Sequence, residues 1–186
     1  MAGMALVSSN GMAVGTQAPP FSLPGVDGQT WSLESFADAK ILVVVFTCNH
    51  CPYAVAYEDR LVALQRDYGG RVQVVAINPN DDRSHPADSF ERMVERAEDK
   101  GFCFPYLRDA SQEVARAYDA ACTPDPFVFG PDRRLVYNGR IDDDWRDASA
   151  VRRRDLREVL DAILEGREPR LDDPAPAVGC SIKWKA

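Results

Sequence analysis

The sequence has no apolar run approaching the ~20 residues of a membrane-spanning helix, and no role at a membrane is expected. Its first residues, MAGMALVSSNGMAVG, lack a cationic stretch followed by an apolar core. No export signal is read there, and a cytoplasmic location is expected. Positive charge is in deficit: 22 Lys and Arg stand against 29 Asp and Glu, a formal charge of −7. Binding to a phosphate backbone is therefore not the main task, and no nucleic-acid partner is expected. The basic cluster Arg152-Arg153-Arg154 follows Asp142, Asp143, Asp144 and Asp147 and opens a helical pattern, so it reads as a solvated helix face. No Gly-x-Gly-x-x-Gly stands at a strand–helix turn. No nicotinamide or flavin cofactor is expected, and any reductase would be a separate protein. Repeats at solenoid spacing are also missing.

The chain does have five cysteines: Cys48, Cys51, Cys103, Cys122 and Cys180. A chain of 186 residues buries roughly 70% of its extended surface and needs no disulfide framework. An odd count without an export signal points the close pair, Cys48 and Cys51, toward redox or metal chemistry.

The pattern is α/β. Two short extended pieces flank an Asp27-Gly28 turn and suggest an N-terminal hairpin. Ile41 to Phe46 is apolar throughout, as in a strand covered on both faces. Tyr57, Leu61, Leu64 and Tyr68 form one helical stripe, ended by Gly69-Gly70. Val72 to Ile77 is a second buried strand, which makes a right-handed parallel βαβ unit. Beyond it the chain predicts a helix capped by Asp88 or Ser89 and running to about Lys100, and a strand from Phe102 to Leu107. A helix from Ser111, a hairpin of 127–129 with 134–137, and a helix from about Arg152 to Leu164 complete it. The expected organisation is a mobile lead-in (1–14), one domain (15–166) and a tail (167–186) that can dock on the domain.

The chemistry concentrates in Cys48-Asn49-His50-Cys51, at the junction of strand and helix. The spacing puts two sulfurs one helical turn apart, within disulfide reach. The helix N-terminus offers unpaired N–H groups and partial positive charge, which favour a thiolate, the attacking species in disulfide exchange. Cys48, before the helix, is expected to be the exposed, activated nucleophile, and Cys51 the more buried resolving thiol. His50 adds positive charge beside them, and Pro52 suits the first helical turn. The alternative readings are two small core residues or half of a zinc site. Zinc usually takes four ligands, and Cys103, Cys122 and His85 stand apart in sequence, so no metal is expected.

These residues resemble the thioredoxin superfamily. More closely, the chain is similar to the alkyl hydroperoxide reductase/thiol-specific antioxidant branch. The likeness lies in Gly15-x-x-Ala18-Pro19-x-Phe21-x-Leu23, the Asp27-Gly28 turn, Ile41 to Phe46, Phe104-Pro105-x-Leu107-x-Asp109 and Thr123-Pro124. The segment Gly179-Cys180-Ser181-Ile182-Lys183-Trp184-Lys185 is similar to the end of an uncharacterised peroxiredoxin-like subgroup. The resemblance implies a thioredoxin-like fold, a central mixed sheet flanked by helices. It also implies a cis Pro124 beside the pair, with the Thr123 backbone able to hold an extended substrate as a short strand does.

Two departures matter. Thioredoxins carry an aspartate on the strand before the pair, where this chain is wholly apolar, so the proton from Cys51 needs another acceptor. Glu58 and Asp59 are near in sequence. Peroxiredoxins carry Thr-x-x-Cys-Pro; here Cys51-Pro52 fits but Cys48 replaces the threonine, and Thr47 precedes it.

Cys122, next to Thr123-Pro124, is a candidate additional thiol, though a buried hydrophobe is the simpler reading. Cys103 is expected in the core, and Cys180 is either structural or a regulatory thiol. The leading function is a thiol–disulfide oxidoreductase acting through Cys48 and Cys51 on disulfides of proteins or small thiols. Its reductant would be external, such as a thioredoxin or glutathione system. A thiol peroxidase using Cys51 or Cys48, and a non-catalytic binding or metal-holding module, are the alternatives.

Overall fold

The computed structural model describes residues 5–186. In chain order, β1 (Leu6–Ser8) precedes the hairpin of β2 (Ser22–Pro24) and β3 (Thr30–Ser32). Then β4 (Ile41–Phe46), α1 (Pro52–Tyr68) and β5 (Val72–Asn78) form the βαβ unit. They are followed by α2 (Phe90–Lys100), β6 (Tyr106–Arg108), α3 (Glu113–Ala117), β7 (Cys122–Thr123), β8 (Asp125–Phe129) and β9 (Leu135–Asn138). The chain ends with α4 (Asp155–Leu164) and β10 (Val178–Ser181).

The central sheet has the order β6-β5-β4-β8-β9. Its β6-β5-β4 part is parallel and its β4-β8-β9 part antiparallel. Every residue of β4 is buried, because alternate side chains serve opposite faces. Ile41, Val43 and Val45 pack with Tyr57, Leu61 and Leu64 of α1 and with Leu156 and Leu160 of α4. Leu42, Val44 and Phe46 pack with Phe21, Phe36, Tyr118, Phe127 and Phe129. This is the thioredoxin-like arrangement, with a central mixed sheet flanked by helices.

Local signals set the helix ends. Pro52 occupies the first turn of α1, where its missing N–H costs nothing. Ser89, not Asp88, caps α2 by accepting from the Arg92 amide at 3.3 Å. Gly101 closes that helix in the left-handed region, at φ 61°.

A second sheet, of order β1-β10-β7, joins both ends of the chain. The tail docks as β10 between the other two strands, in antiparallel register with each. The lead-in expected to be mobile thus supplies β1 from its described part; residues 1–4 lie outside the described residues. The strand expected over Phe102 to Leu107 begins only at Tyr106. Cys103 is accordingly exposed on the preceding loop, not in the core.

Candidate active site

The pair stands where β4 hands over to α1. The Thr47 amide continues the β4–β5 ladder by donating to the Ile77 carbonyl (2.9 Å). The chain then turns, and Cys51 becomes the N-cap residue of α1. The cis Thr123–Pro124 peptide faces it. Cys48 Sγ lies 3.3 Å from Thr123 Oγ1, and Cys51 Sγ lies 3.3 Å from the Thr123 carbonyl oxygen.

The expectation that Cys48 is the exposed sulfur is not met, whereas Cys51 is fully buried as expected. Cys48 is only 2% exposed and Cys51 is 0% exposed, so neither presents an open sulfur. Cys51 is the more acidic thiol of the two, with its pKa pulled down to about 4. The hydrogen bond from Cys48 does most of this, against burial, and Cys180 and the Ala54 amide of the first helical turn add to it. Cys48 moves the other way, well above the ordinary thiol range. It gives its proton to the Cys51 bond, it is buried, and the Asp88 carboxylate stands nearby. As a thiol, Cys51 donates to the Thr123 carbonyl; as a thiolate it gives up that bond and accepts from the other two sulfurs.

Asp88 is the group that the sequence did not reveal. Its side chain is fully buried. It accepts from the Asn49 amide (2.7 Å), Asn80 Nδ2 (2.9 Å), Asn78 Nδ2 (3.2 Å) and His50 Nδ1 (2.6 Å). Burial opposes its charge, but the bonds from His50, Asn80 and Asn49 outweigh it and hold the carboxyl below its usual range. His50 is raised in turn, chiefly by that Asp88 bond. His85 stacks on His50 with ring centroids 5.1 Å apart. Its own pKa is lowered, by burial first and then by the His50 charge. Tyr106 completes the network, donating to Asn49 Oδ1 (2.8 Å). A cluster of asparagines and an aspartate at and after the end of the buried strand β5 was the available signal, because sites gather beyond the carboxyl ends of such strands.

The proton acceptors suggested by sequence proximity are elsewhere. Glu58 is buried in a two-bond ion pair with Arg96 (2.8 and 2.6 Å), and Asp59 is exposed. Cys122 is buried, its sulfur donates to the Pro124 carbonyl (3.7 Å), and burial pushes its pKa up. The third thiol beside the pair is instead Cys180, which packs with Cys48, Cys51 and Ala54. Thr123 does pair with an extended strand, but that strand is β10 of the same chain, with Cys180 opposite Thr123.

Cys48, His50 and Asp88 offer one metal-ligand atom each, all within 4.8 Å of one another. They are three donors where a structural zinc site takes four, and the His50 nitrogen nearest Asp88 is already committed to it.

A low-pKa thiol at a helix N-terminus, a second thiol one turn away and a cis-proline loop facing both define a thioredoxin-like redox site. The chain belongs to the AhpC/TSA family, whose sequence pattern matches residues 14–138. It is similar to an uncharacterised conserved protein from Geobacillus kaustophilus (46% identity, TM-score 0.93, 98% of each chain covered). It is also similar to a hypothetical protein from Sinorhizobium meliloti (42% identity, TM-score 0.91, 96% of this chain and 98% of that one). A peroxidoxin from Mycobacterium tuberculosis shares the fold at 20% identity (TM-score 0.57, 67% of this chain and 83% of that one). No curated protein matches the chain. Family and fold are those of thiol redox enzymes.

Proposed function

We propose that the protein is a thiol–disulfide oxidoreductase in which Cys51 is the attacking thiolate and Cys48 the resolving thiol. The observation that supports this reading is the placement of two buried sulfurs at the head of α1, each 3.3 Å from Thr123, and the lowered Cys51 pKa and raised Cys48 pKa agree with it. The Cys51 thiolate attacks a substrate disulfide, forming a mixed disulfide and releasing one substrate thiolate. Cys48 then gives up its proton and attacks Cys51 Sγ, releasing the second thiolate and leaving the Cys48–Cys51 disulfide. Two electrons pass to the substrate. His50, hydrogen-bonded to Asp88 and with its pKa raised by that bond, is placed to give a proton to a leaving sulfur. Substrates of this chemistry are disulfides of proteins or small thiols. An external thioredoxin or glutathione system, in the cytoplasm, would restore the dithiol.

The test is insulin reduction with dithiothreitol as electron source. Wild type accelerates it, and Cys51→Ser abolishes the acceleration. A wild-type rate equal to background contradicts the reading. A peroxidase reading has one observation in its favour, Cys51 at the N-cap of α1 directly ahead of Pro52, where its pKa is lowered. Peroxide consumption that survives Cys48→Ser and is lost in Cys51→Ser would replace the first reading with this one.

A further inference from the structure

The tail brings a sulfur to the one edge of the site where an extended substrate would pair. Cys180 lies opposite Thr123 in register, and Ser181 lies opposite Cys122. The residue before Cys180 is glycine for a steric reason: a Cβ at Gly179 would stand 2.0 Å from the Thr123 carbonyl oxygen. That is the same oxygen that lies 3.3 Å from Cys51 Sγ. Only a glycine lets the strand approach closely enough to seat the next side chain among Cys48, Cys51 and Ala54. The placement is held from both sides. The Ser181 amide donates to the Ala5 carbonyl (3.0 Å) and the Ile182 amide to that of Ala121 (3.3 Å). The Lys183 amide donates to Asn80 Oδ1 (2.9 Å), on the asparagine whose Nδ2 holds Asp88. The tail is thus tied to the network that polarises the pair.

We propose that Cys180 is a third redox thiol of this site, which attacks Cys51 in the oxidised pair and moves the disulfide to Cys51–Cys180. This rests on the disulfide-exchange reading above. Cys180 loses its proton and attacks Cys51 Sγ, the Cys48–Cys51 bond breaks, and Cys48 leaves as a thiolate that takes up the proton. No net oxidation occurs. Any mixed disulfide on Cys51 is open to the same attack, so Cys180 resolves it when Cys48 cannot. Cys51 and Cys180 pack in one cluster and share a side-chain hydrogen bond, so the two sulfurs are neighbours before any disulfide forms.

The test uses the full chain with the exposed Cys103 changed to Ser throughout. Cys48→Ser protein is treated with oxidised glutathione and mapped by mass. Glutathione joins Cys51, and Cys180 is expected to displace it, giving the Cys51–Cys180 disulfide in most molecules. In Cys48→Ser/Cys180→Ser the adduct persists, with loss slower on the order of 100-fold, because the attack is no longer intramolecular. A Cys48→Ala background repeats the comparison should serine disturb the Thr123 contact. Equal persistence of the adduct with and without Cys180 overturns the proposal. If wild type still forms Cys48–Cys51, the exchange reading survives that failure; if it does not, both fall.

Discussion

His50 Nδ1 stands 2.6 Å from Asp88 Oδ2, joining the loop that carries the cysteine pair to the loop that leads into α2. One buried carboxylate thereby acts on both neighbours: its hydrogen bond raises the His50 pKa, and its charge adds to the rise at Cys48 that the Cys51 hydrogen bond and burial mainly cause. The pair is polarised chiefly by the hydrogen bond between its own sulfurs, with Asp88 adding on the Cys48 side and the Cys180 and Ala54 bonds on the Cys51 side.

Asp88→Asn therefore lowers the His50 pKa. The raised value means that the charged pair contributes fully below the unfolded histidine value of about 6.5 and is lost as pH rises through the folded one. NMR titration of the His50 ring is expected to move to lower pH in the variant. An unchanged midpoint would show that Asp88 does not set the charge.

The Cys51 pKa is lowered to about 4, chiefly by the Cys48 hydrogen bond. Its depressed pKa makes its contribution present above the unfolded thiol value of about 8.5 and lost as pH falls through about 4. Thiolate ultraviolet absorbance that disappears in Cys51→Ser and falls with a midpoint near 4 checks this. A midpoint near the unperturbed thiol value would exclude thiolate activation.

Asp125, fully buried after the cis-proline, is raised to about 6 by burial, despite bonds from the Ala121 amide and Asn138. A raised carboxyl stabilises the fold fully below about 3.9, and that contribution is lost as pH rises through about 6. Two pKa units correspond to at most about 3 kcal/mol. In Asp125→Asn the fall in denaturant stability from pH 4 to pH 6 should flatten. A slope as steep as wild type would assign the dependence to other groups.

Cys51 is buried with Cys180 of β10 packed on it, so its alkylation is expected to be limited by tail opening. Gly179→Val drives a side chain into the Thr123 carbonyl and displaces the strand. Iodoacetamide labelling of Cys51, followed by mass, should quicken at least about 10-fold, the effect of about 1.4 kcal/mol on the opening equilibrium. Unchanged labelling would place the access route elsewhere.

The sequence made β4, α1 and β5 legible because they have simple periodicity: an unbroken apolar run, a 4-3-4 stripe and a second run. Pro52 and Gly69 marked the helix ends, and the pair was readable from its spacing. Three things were not readable. Asp88 looked like a helix cap, because no local pattern shows that a loop folds back over the strand ends. Cys103 sat in an apolar stretch, but Pro105 delays β6 and leaves it outside. Cys180 is separated from Cys51 by most of the domain, and only the β7–β10 register brings them together. The same contact buries Cys48, which its position before the helix alone would leave as the open thiol.

Equilibration of the protein in glutathione buffers of graded poise, quenched and mapped by mass, reads the site directly. The expected result is a two-electron transition, between roughly −120 and −270 mV, in which a disulfide on Cys51 appears and Cys48 is its first partner. A chain that shows no disulfide on Cys51 at any poise, while still folded, would contradict the redox assignment.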